Sequence, residues 1–128
     1  MILAFDTNVL IEIDLLNKTL IDKLEKIRKT LRPALPSPVV SEYYYGFLGT
    51  MEKEKVLKTI EGYAILDTSK DSAMLFAELK HRLHKSGQII PDMDILIASI
   101  CIDNDATLLT FDKQFEKIKE LDKVVLEF

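Results

Sequence analysis

Four acidic side chains stand where α/β proteins commonly bind ligands: Asp6, Glu42, Asp94 and Asp112. Asp6 directly follows a short apolar run that is typical of a buried strand, and Asp112 follows a second such run. Glu42 belongs to a helix predicted after the second strand, and Asp94 opens the most apolar helix of the chain. Because the carboxyl ends of parallel strands meet at one edge of a sheet, we expect the four carboxylates to converge there.

Converging carboxylates favour a bound cation. Like charges a few ångströms apart raise one another's pKa, so we expect at least one of the four acids to have a raised pKa. A hard divalent cation removes the repulsion, and ligands that are all oxygen suit Mg²⁺ or Mn²⁺. Each acid also has a structural explanation, three as helix caps and Glu42 as a helix-surface residue. At this point both interpretations remain open.

The apolar pattern predicts the elements that must position these acids. Strands are predicted at residues 2–5, 34–35, 63–66, 106–109 and 124–128. Helices are predicted at 9–16, 17–32, 38–48, 51–62, 71–84, 113–121 and in the uncharged run that starts at residue 95. This alternation predicts a three-layer α/β/α sandwich with a central, mainly parallel sheet of about five short strands. We expect residues 1–128 to form a single domain, without repeats or linkers.

The segment around Glu42 has an informative spacing. Ser37 followed by Pro38 predicts a helix N-cap with proline at the first helical position. By helical spacing, Gly46 and Gly49 share a stripe with Glu42. Glycines there predict a notch beside the carboxylate, since a purely structural stripe would normally carry larger side chains.

Composition indicates an ordinary globular protein. The chain has 128 residues, of which 48% are hydrophobic and 30% charged, enough to bury a core without disulfides. Its single cysteine, Cys101, lies in an apolar run and fits a reducing compartment. No apolar stretch approaches the roughly 18 residues of a membrane span. We therefore expect a cytoplasmic protein with no membrane partner.

The net charge of −4 argues against a polyanionic partner, but the basic residues are clustered. One cluster lies between residues 18 and 32 and the other between 80 and 85. Local patches can bind phosphates on a mildly acidic protein, although both clusters could equally be solvent-facing sides of helices. The candidate phosphate-binding residues are Lys80, Arg82, Lys85, Arg28 and Arg32.

Four segments together resemble the PIN domain: MILAFDTNVL, SEYYYG, DILIAS and TFDKQF. They occur in the family's order over essentially the whole chain, and the similarity is closest to the VapC-type toxins of VapBC toxin–antitoxin pairs. The resemblance implies that one or two Mg²⁺ or Mn²⁺ ions are held by the catalytic acids Asp6, Glu42, Asp94 and Asp112. It also implies three supporting polar residues, Thr7, Asn8 and Thr110. Asp92 departs from the pattern as an extra acid that could share a metal or bind it through water.

The function implied by this resemblance is hydrolysis of RNA phosphodiester bonds by a water molecule that the metal activates. A cognate antitoxin and a homodimer are implied as partners, and the apolar Phe47 and Leu48 would suit either interface. The basic candidates would then contact RNA. Two alternatives remain, a non-toxin PIN nuclease of RNA processing and a non-catalytic α/β interaction module that keeps the fold. A Rossmann-type nucleotide binder is excluded, because no glycine-rich turn follows the first strand.

Overall fold

A computed structural model describes residues 1–127 of the chain. Five strands form one parallel sheet: β1 (Ile2–Phe5), β2 (Arg32–Pro36), β3 (Ala64–Leu66), β4 (Thr107–Thr110) and β5 (Lys123–Val125). The α-helices are α1 (Thr7–Asp14), α2 (Lys18–Ile27), α3 (Ser37–Tyr45), α4 (Lys53–Glu61), α5 (Lys70–Lys85) and α6 (Asp92–Asp103). Two short 3-10 helices span Arg28–Thr30 and Lys113–Lys117. The predicted α/β class with a five-stranded parallel sheet is confirmed.

Strand order explains where a ligand site can form. The order across the sheet is β3-β2-β1-β4-β5, so β1 is central. The chain first adds β2 and β3 on one side of β1 and then crosses to add β4 and β5 on the other side. Such a reversal leaves a crevice at the carboxyl ends of the two strands where it occurs, here β1 and β4. The register pairs Phe5 with Leu109, so the two strands end side by side.

Helix α6 forms the centre of the core. Its six buried residues leave almost no polar face: Ile95, Ile97, Ala98, Ser99, Ile100 and Cys101. The Ser99 hydroxyl donates to the Ile95 carbonyl oxygen at 2.8 Å, which satisfies a polar group that is otherwise enclosed. Burial raises the pKa of the Cys101 thiol to about 12, so this cysteine is inert core packing. In residues 1–127, no helix is both long and apolar enough to cross a membrane.

Three predictions around α3 are wrong. The helix ends at Tyr45 instead of continuing to residue 48, so Gly46 is its C-cap and Gly49 lies beyond it with φ +81°. The predicted glycine notch beside Glu42 therefore does not exist, because the glycines end the helix and shape the following turn. The residue at the N-cap is Pro36, so Ser37 is already helical.

Other element boundaries shift for local reasons. Strand β2 is longer than predicted and includes Pro33. Proline is tolerated there because the pairing of β2 with β3 begins only at Ala34, so no hydrogen bond from residue 33 to β3 is lost. The predicted helix 17–32 ends at Ile27 and continues only as a 3-10 turn. The predicted helix 113–121 is the 3-10 helix Lys113–Lys117. The last strand ends at Val125, and residue 128 of the predicted strand lies outside the described residues.

The burial of α6 makes a stability prediction. We expect Ile97→Ala to lower the free energy of unfolding by about 2–5 kcal/mol, because Ile97 is 0% exposed and its removal leaves a cavity. Met93→Ala on the same helix is the matched control and should cost about 1 kcal/mol or less, since Met93 is 39% exposed. Denaturant titration of both variants measures the difference. Equal decreases would contradict the central position of α6.

Candidate active site

Asp6 is the most enclosed acid of the site. It follows β1 directly and is only 6% exposed. Its carboxylate accepts hydrogen bonds from the Thr7 backbone N–H at 2.9 Å, from the Thr110 hydroxyl at 2.6 Å and from the Asn8 side-chain amide at 3.3 Å. Its own N–H donates to the Leu109 carbonyl at 3.0 Å. Asp6 is therefore fixed to β4 as well as to α1, which it caps.

Thr110 and Asn8 join the two strand ends. The buried Thr110 hydroxyl donates to Asp6 and accepts the Asp112 backbone N–H at 3.0 Å. The Asn8 side-chain oxygen accepts the Phe111 N–H at 3.2 Å. Thr7 donates its backbone N–H to Asp6 and its hydroxyl to Glu42. All three predicted supporting residues therefore contact one of the acids or the loop that carries Asp112.

The other three acids surround Asp6 from separate elements. Asp112 follows β4 and caps the 3-10 helix by accepting the Gln114 N–H at 2.9 Å. Glu42 lies at the exposed rim on α3, where its Oε1 accepts the Thr7 hydroxyl at 3.4 Å. Asp94 stands half-buried in the first turn of α6. The alternative explanation of Asp94 as a helix N-cap is wrong, because Pro91 is the N-cap of α6.

The four acids influence one another electrostatically. Burial raises the pKa of Asp94 to about 6, and the charges of Asp6, Asp112 and Glu42 contribute to this rise in that order of importance. Burial also raises the pKa of Asp6, against the lowering effect of its hydrogen bonds, and Asp112 adds to the rise. The pKa of Glu42 is raised by partial loss of hydration and then by Asp6. The expectation of a raised pKa is confirmed, with burial as the larger cause.

This donor set fits a hard divalent cation in its chemistry, because all four groups offer only carboxylate oxygens. Within residues 1–127, however, no three His, Cys, Asp or Glu side chains are close enough to form a metal-binding group as they stand. A cation would have to draw them together.

Asp92 does not face this site with Asp94. Its carboxylate pairs with the Lys80 ammonium at 3.1 Å, and its side chain is 61% exposed. Residues two apart on a helix point in different directions, so the two acids of the first turn of α6 diverge. The role of Asp92 as an additional ligand stays a prediction.

The candidate RNA-contacting residues are dispersed. Arg82 forms a two-pronged ion pair with Glu120, in which Nη2 and Oε1 are 2.9 Å apart, and Lys85 is exposed at the end of α5. Arg28 pairs with Glu25 at 3.5 Å. Arg32 begins β2, so it lies at the edge of the sheet opposite the acids. With Lys80 bound to Asp92, the five residues form no continuous surface.

One contact near the site was missed from the sequence. The Tyr43 hydroxyl donates to Asp14 on α1 at 2.5 Å, and Tyr43 is 1% exposed. Burial and then this hydrogen bond raise the pKa of Tyr43. The contact ties α3 to α1 and so fixes the helix that carries Glu42. The available signal was an acid, Asp14, in a helix whose other residues from Val9 onwards are apolar except Glu12.

The fold is a parallel α/β/α sandwich with carboxylates close to the point where the strand order reverses, which is where open α/β sheets bind ligands. The profile of the PIN domain family matches residues 3–121. The chain therefore belongs to the PIN domain family, as the sequence motifs indicated.

Individual relatives agree with this assignment. The chain is 32% identical to ribonuclease VapC2 of Rickettsia felis over 94% of this chain and 95% of that protein. It is also similar to the crystal structure of VapBC2 from Rickettsia felis bound to a promoter DNA fragment, with TM-score 0.88, 29% identity and coverage of 99% and 100% of the two chains. VapBC-1 from nontypeable Haemophilus influenzae shares the fold, with TM-score 0.84 at 22% identity over 98% of each chain.

The raised pKa of Asp94 predicts a pH-dependent stability. Folded Asp94 keeps its proton up to about pH 6, against a reference pKa of 3.8, so the free energy of unfolding falls as pH rises between these values. In EDTA at pH 8, we expect Asp94→Asn to be about 1 kcal/mol more stable than the parent, or roughly 4 °C in Tm, after allowance for solvent screening. At pH 4 the difference should vanish, because the parent carboxyl is then neutral.

Asp92→Asn is the matched control, since it removes an acid from the same helical turn. It should lower Tm slightly, because it removes a favourable helix-dipole interaction and a surface ion pair. Mn²⁺ should stabilise the parent by mass action and stabilise Asp94→Asn less. If Asp94→Asn melts below the parent as the control does, and Mn²⁺ shifts neither, the carboxylates do not act as one site.

Proposed function

We propose that this protein is a Mg²⁺- or Mn²⁺-dependent endoribonuclease that hydrolyses RNA phosphodiester bonds, and that it is the toxin of a toxin–antitoxin pair. The observation that carries the proposal is the mutual electrostatic coupling of Asp6, Glu42, Asp94 and Asp112 at the reversal of strand order. The similarity of this chain to ribonuclease VapC2 over nearly the full length of both proteins supports the same activity. We regard residues 1–128 as a single nuclease domain.

Each residue has a distinct task in this proposal. The four acids hold the metal, and one or two ions are compatible with four carboxylates. The chemistry that a divalent ion would supply there is a lower pKa for the attacking water molecule and stabilisation of the negative charge on the phosphate. Asp6 is held in place by Thr110 and Asn8, whereas Glu42 at the exposed rim is free to adjust to the substrate.

The proposed partners follow from the relatives. The similar Rickettsia felis structure is a VapBC2 assembly, which supports a cognate antitoxin for this chain. A homodimer is supported by exposed apolar side chains that follow Glu42 on and after α3, namely Tyr45, Leu48 and Met51. The cytoplasm is the proposed location, because the substrate is cellular RNA. A non-catalytic module would not need four acids at one edge.

Cleavage of a structured RNA by the purified protein tests this function. We expect cleavage with Mg²⁺ or Mn²⁺ and none with EDTA. Asp6→Asn and Asp94→Asn should each reduce the rate by several orders of magnitude, because each weakens the hold on the charge that the reaction requires. Asp22→Asn on the exposed face of α2 is the control and should cleave like the parent. Activity that survives EDTA, or unchanged rates in both acid variants, would exclude the proposal.

A second comparison assigns Asp92. If it binds a metal through water, Asp92→Asn should raise the Mn²⁺ concentration needed for half-maximal cleavage. From its pairing with Lys80 and its exposure we expect less than about a tenfold change in rate. A decrease as large as that of Asp94→Asn would place Asp92 among the direct ligands.

A further inference from the structure

A basic groove is formed by the C-terminal end of α5 and the segment that follows Asp112. It is lined by four cations and one carboxylate: Arg82, Lys113, Lys117, Lys119 and Glu116. Its volume is about 610 Å³. The lining side chains carry a net charge of +3 in a chain whose total is −4. The carboxylates of Glu120 and Glu127, which pair with Arg82 and Lys113, reduce this local charge to +1.

Chain connectivity places one end of the groove at the acids. Lys113 directly follows Asp112, and Gln88, which also lines the groove, stands in the loop that leads to Asp92 and α6. The 3-10 helix Lys113–Lys117 extends from there over about 10 Å, at about 2.0 Å per residue. That length matches roughly three nucleotides of a stacked strand at about 3.4 Å each.

The cations of the groove are available to a ligand. Lys117 and Lys119 are exposed and form no ion pair with a carboxylate of residues 1–127. Lys113 pairs with Glu127 at 3.1 Å on an exposed surface, and Arg82 pairs with Glu120. Exposed ion pairs contribute little to stability, so a phosphate can replace either carboxylate at little cost.

We propose that this groove binds the phosphate backbone of the RNA strand on one side of the bond that is cut. The inference rests on the proposed ribonuclease function and adds a substrate-binding surface to it. The charge arrangement supports the assignment, because an acidic site by itself repels a polyanion. A row of cations that starts at Asp112 offsets this repulsion and holds the strand against the carboxylates. Exposed lysines contact phosphates and not base edges, so the groove positions the strand without reading its sequence.

The test is the salt dependence of RNA binding by Lys117→Gln/Lys119→Gln. Binding of a fluorescent single-stranded RNA 12-mer is measured in EDTA from 50 to 300 mM KCl for the parent, this double variant and Lys53→Gln/Lys58→Gln. The control variant removes the same charge from exposed positions on α4. We expect the groove variant alone to bind several-fold more weakly. Its slope of log K against log salt should be smaller by about 0.7 for each phosphate that the variant no longer neutralises.

Cleavage kinetics with Mn²⁺ separate the groove from the catalytic site. The groove variant should raise KM roughly tenfold with kcat nearly unchanged, since it weakens uniform binding of the substrate. If the parent cleaves RNA and the groove variant matches the control in slope and KM, the groove does not hold the strand, and the ribonuclease function stands. Equal decreases in both variants would also overturn the inference, because the effect would then be one of net charge. A parent that neither binds nor cleaves RNA would overturn the ribonuclease function and the inference with it.

Discussion

The buried carboxylate of Asp6 is the constraint on which this structure depends. An enclosed acid is tolerated only when its oxygens are hydrogen-bonded, and here a backbone N–H, a threonine hydroxyl and an asparagine amide supply the donors. Those donors come from α1 and β4, on elements more than a hundred residues apart in sequence. Satisfying Asp6 therefore fixes the carboxyl ends of the two central strands relative to each other. The Asp112 N–H completes the arrangement by donating to the same Thr110 hydroxyl.

Holding four acids around that point has an energetic cost in the metal-free protein. Asp94 illustrates it best, since burial and three neighbouring carboxylates all disfavour its charge. The surrounding core carries this cost: α6, which bears Asp94, is buried along most of its length and cannot easily move away. Rigid packing thus keeps repelling groups together, and a cation that binds them recovers the missing stability. Asp94 is not a helix cap, so capping does not explain an acid at this position.

Charge is distributed so that one edge of the molecule carries both signs. Asp6 and Asp112 follow the neighbouring strands β1 and β4, whereas the lysines of the adjoining 3-10 helix line a separate groove. A uniformly acidic edge would repel nucleic acid, and a uniformly basic one would neutralise the carboxylates. Short connections make the separation possible, because Asp112 and Lys113 are consecutive residues that face different surroundings.

The sequence by itself determined the fold class and the order of strands and helices along the chain, because these depend on the local apolar pattern. Short motifs also identified the four acids as candidate site residues. Asp6, Thr7 and Asn8 could be placed together since they are neighbours in the chain. Tertiary structure decided the rest. The glycines after Glu42 looked like part of a helix and instead end it, as a positive φ at Gly49 is invisible to helical periodicity. The pairing of Tyr43 with Asp14 and that of Asp92 with Lys80, like the basic groove beside Asp112, join residues distant in sequence. Contacts of this kind depend on how helices pack on the sheet, which no local pattern records.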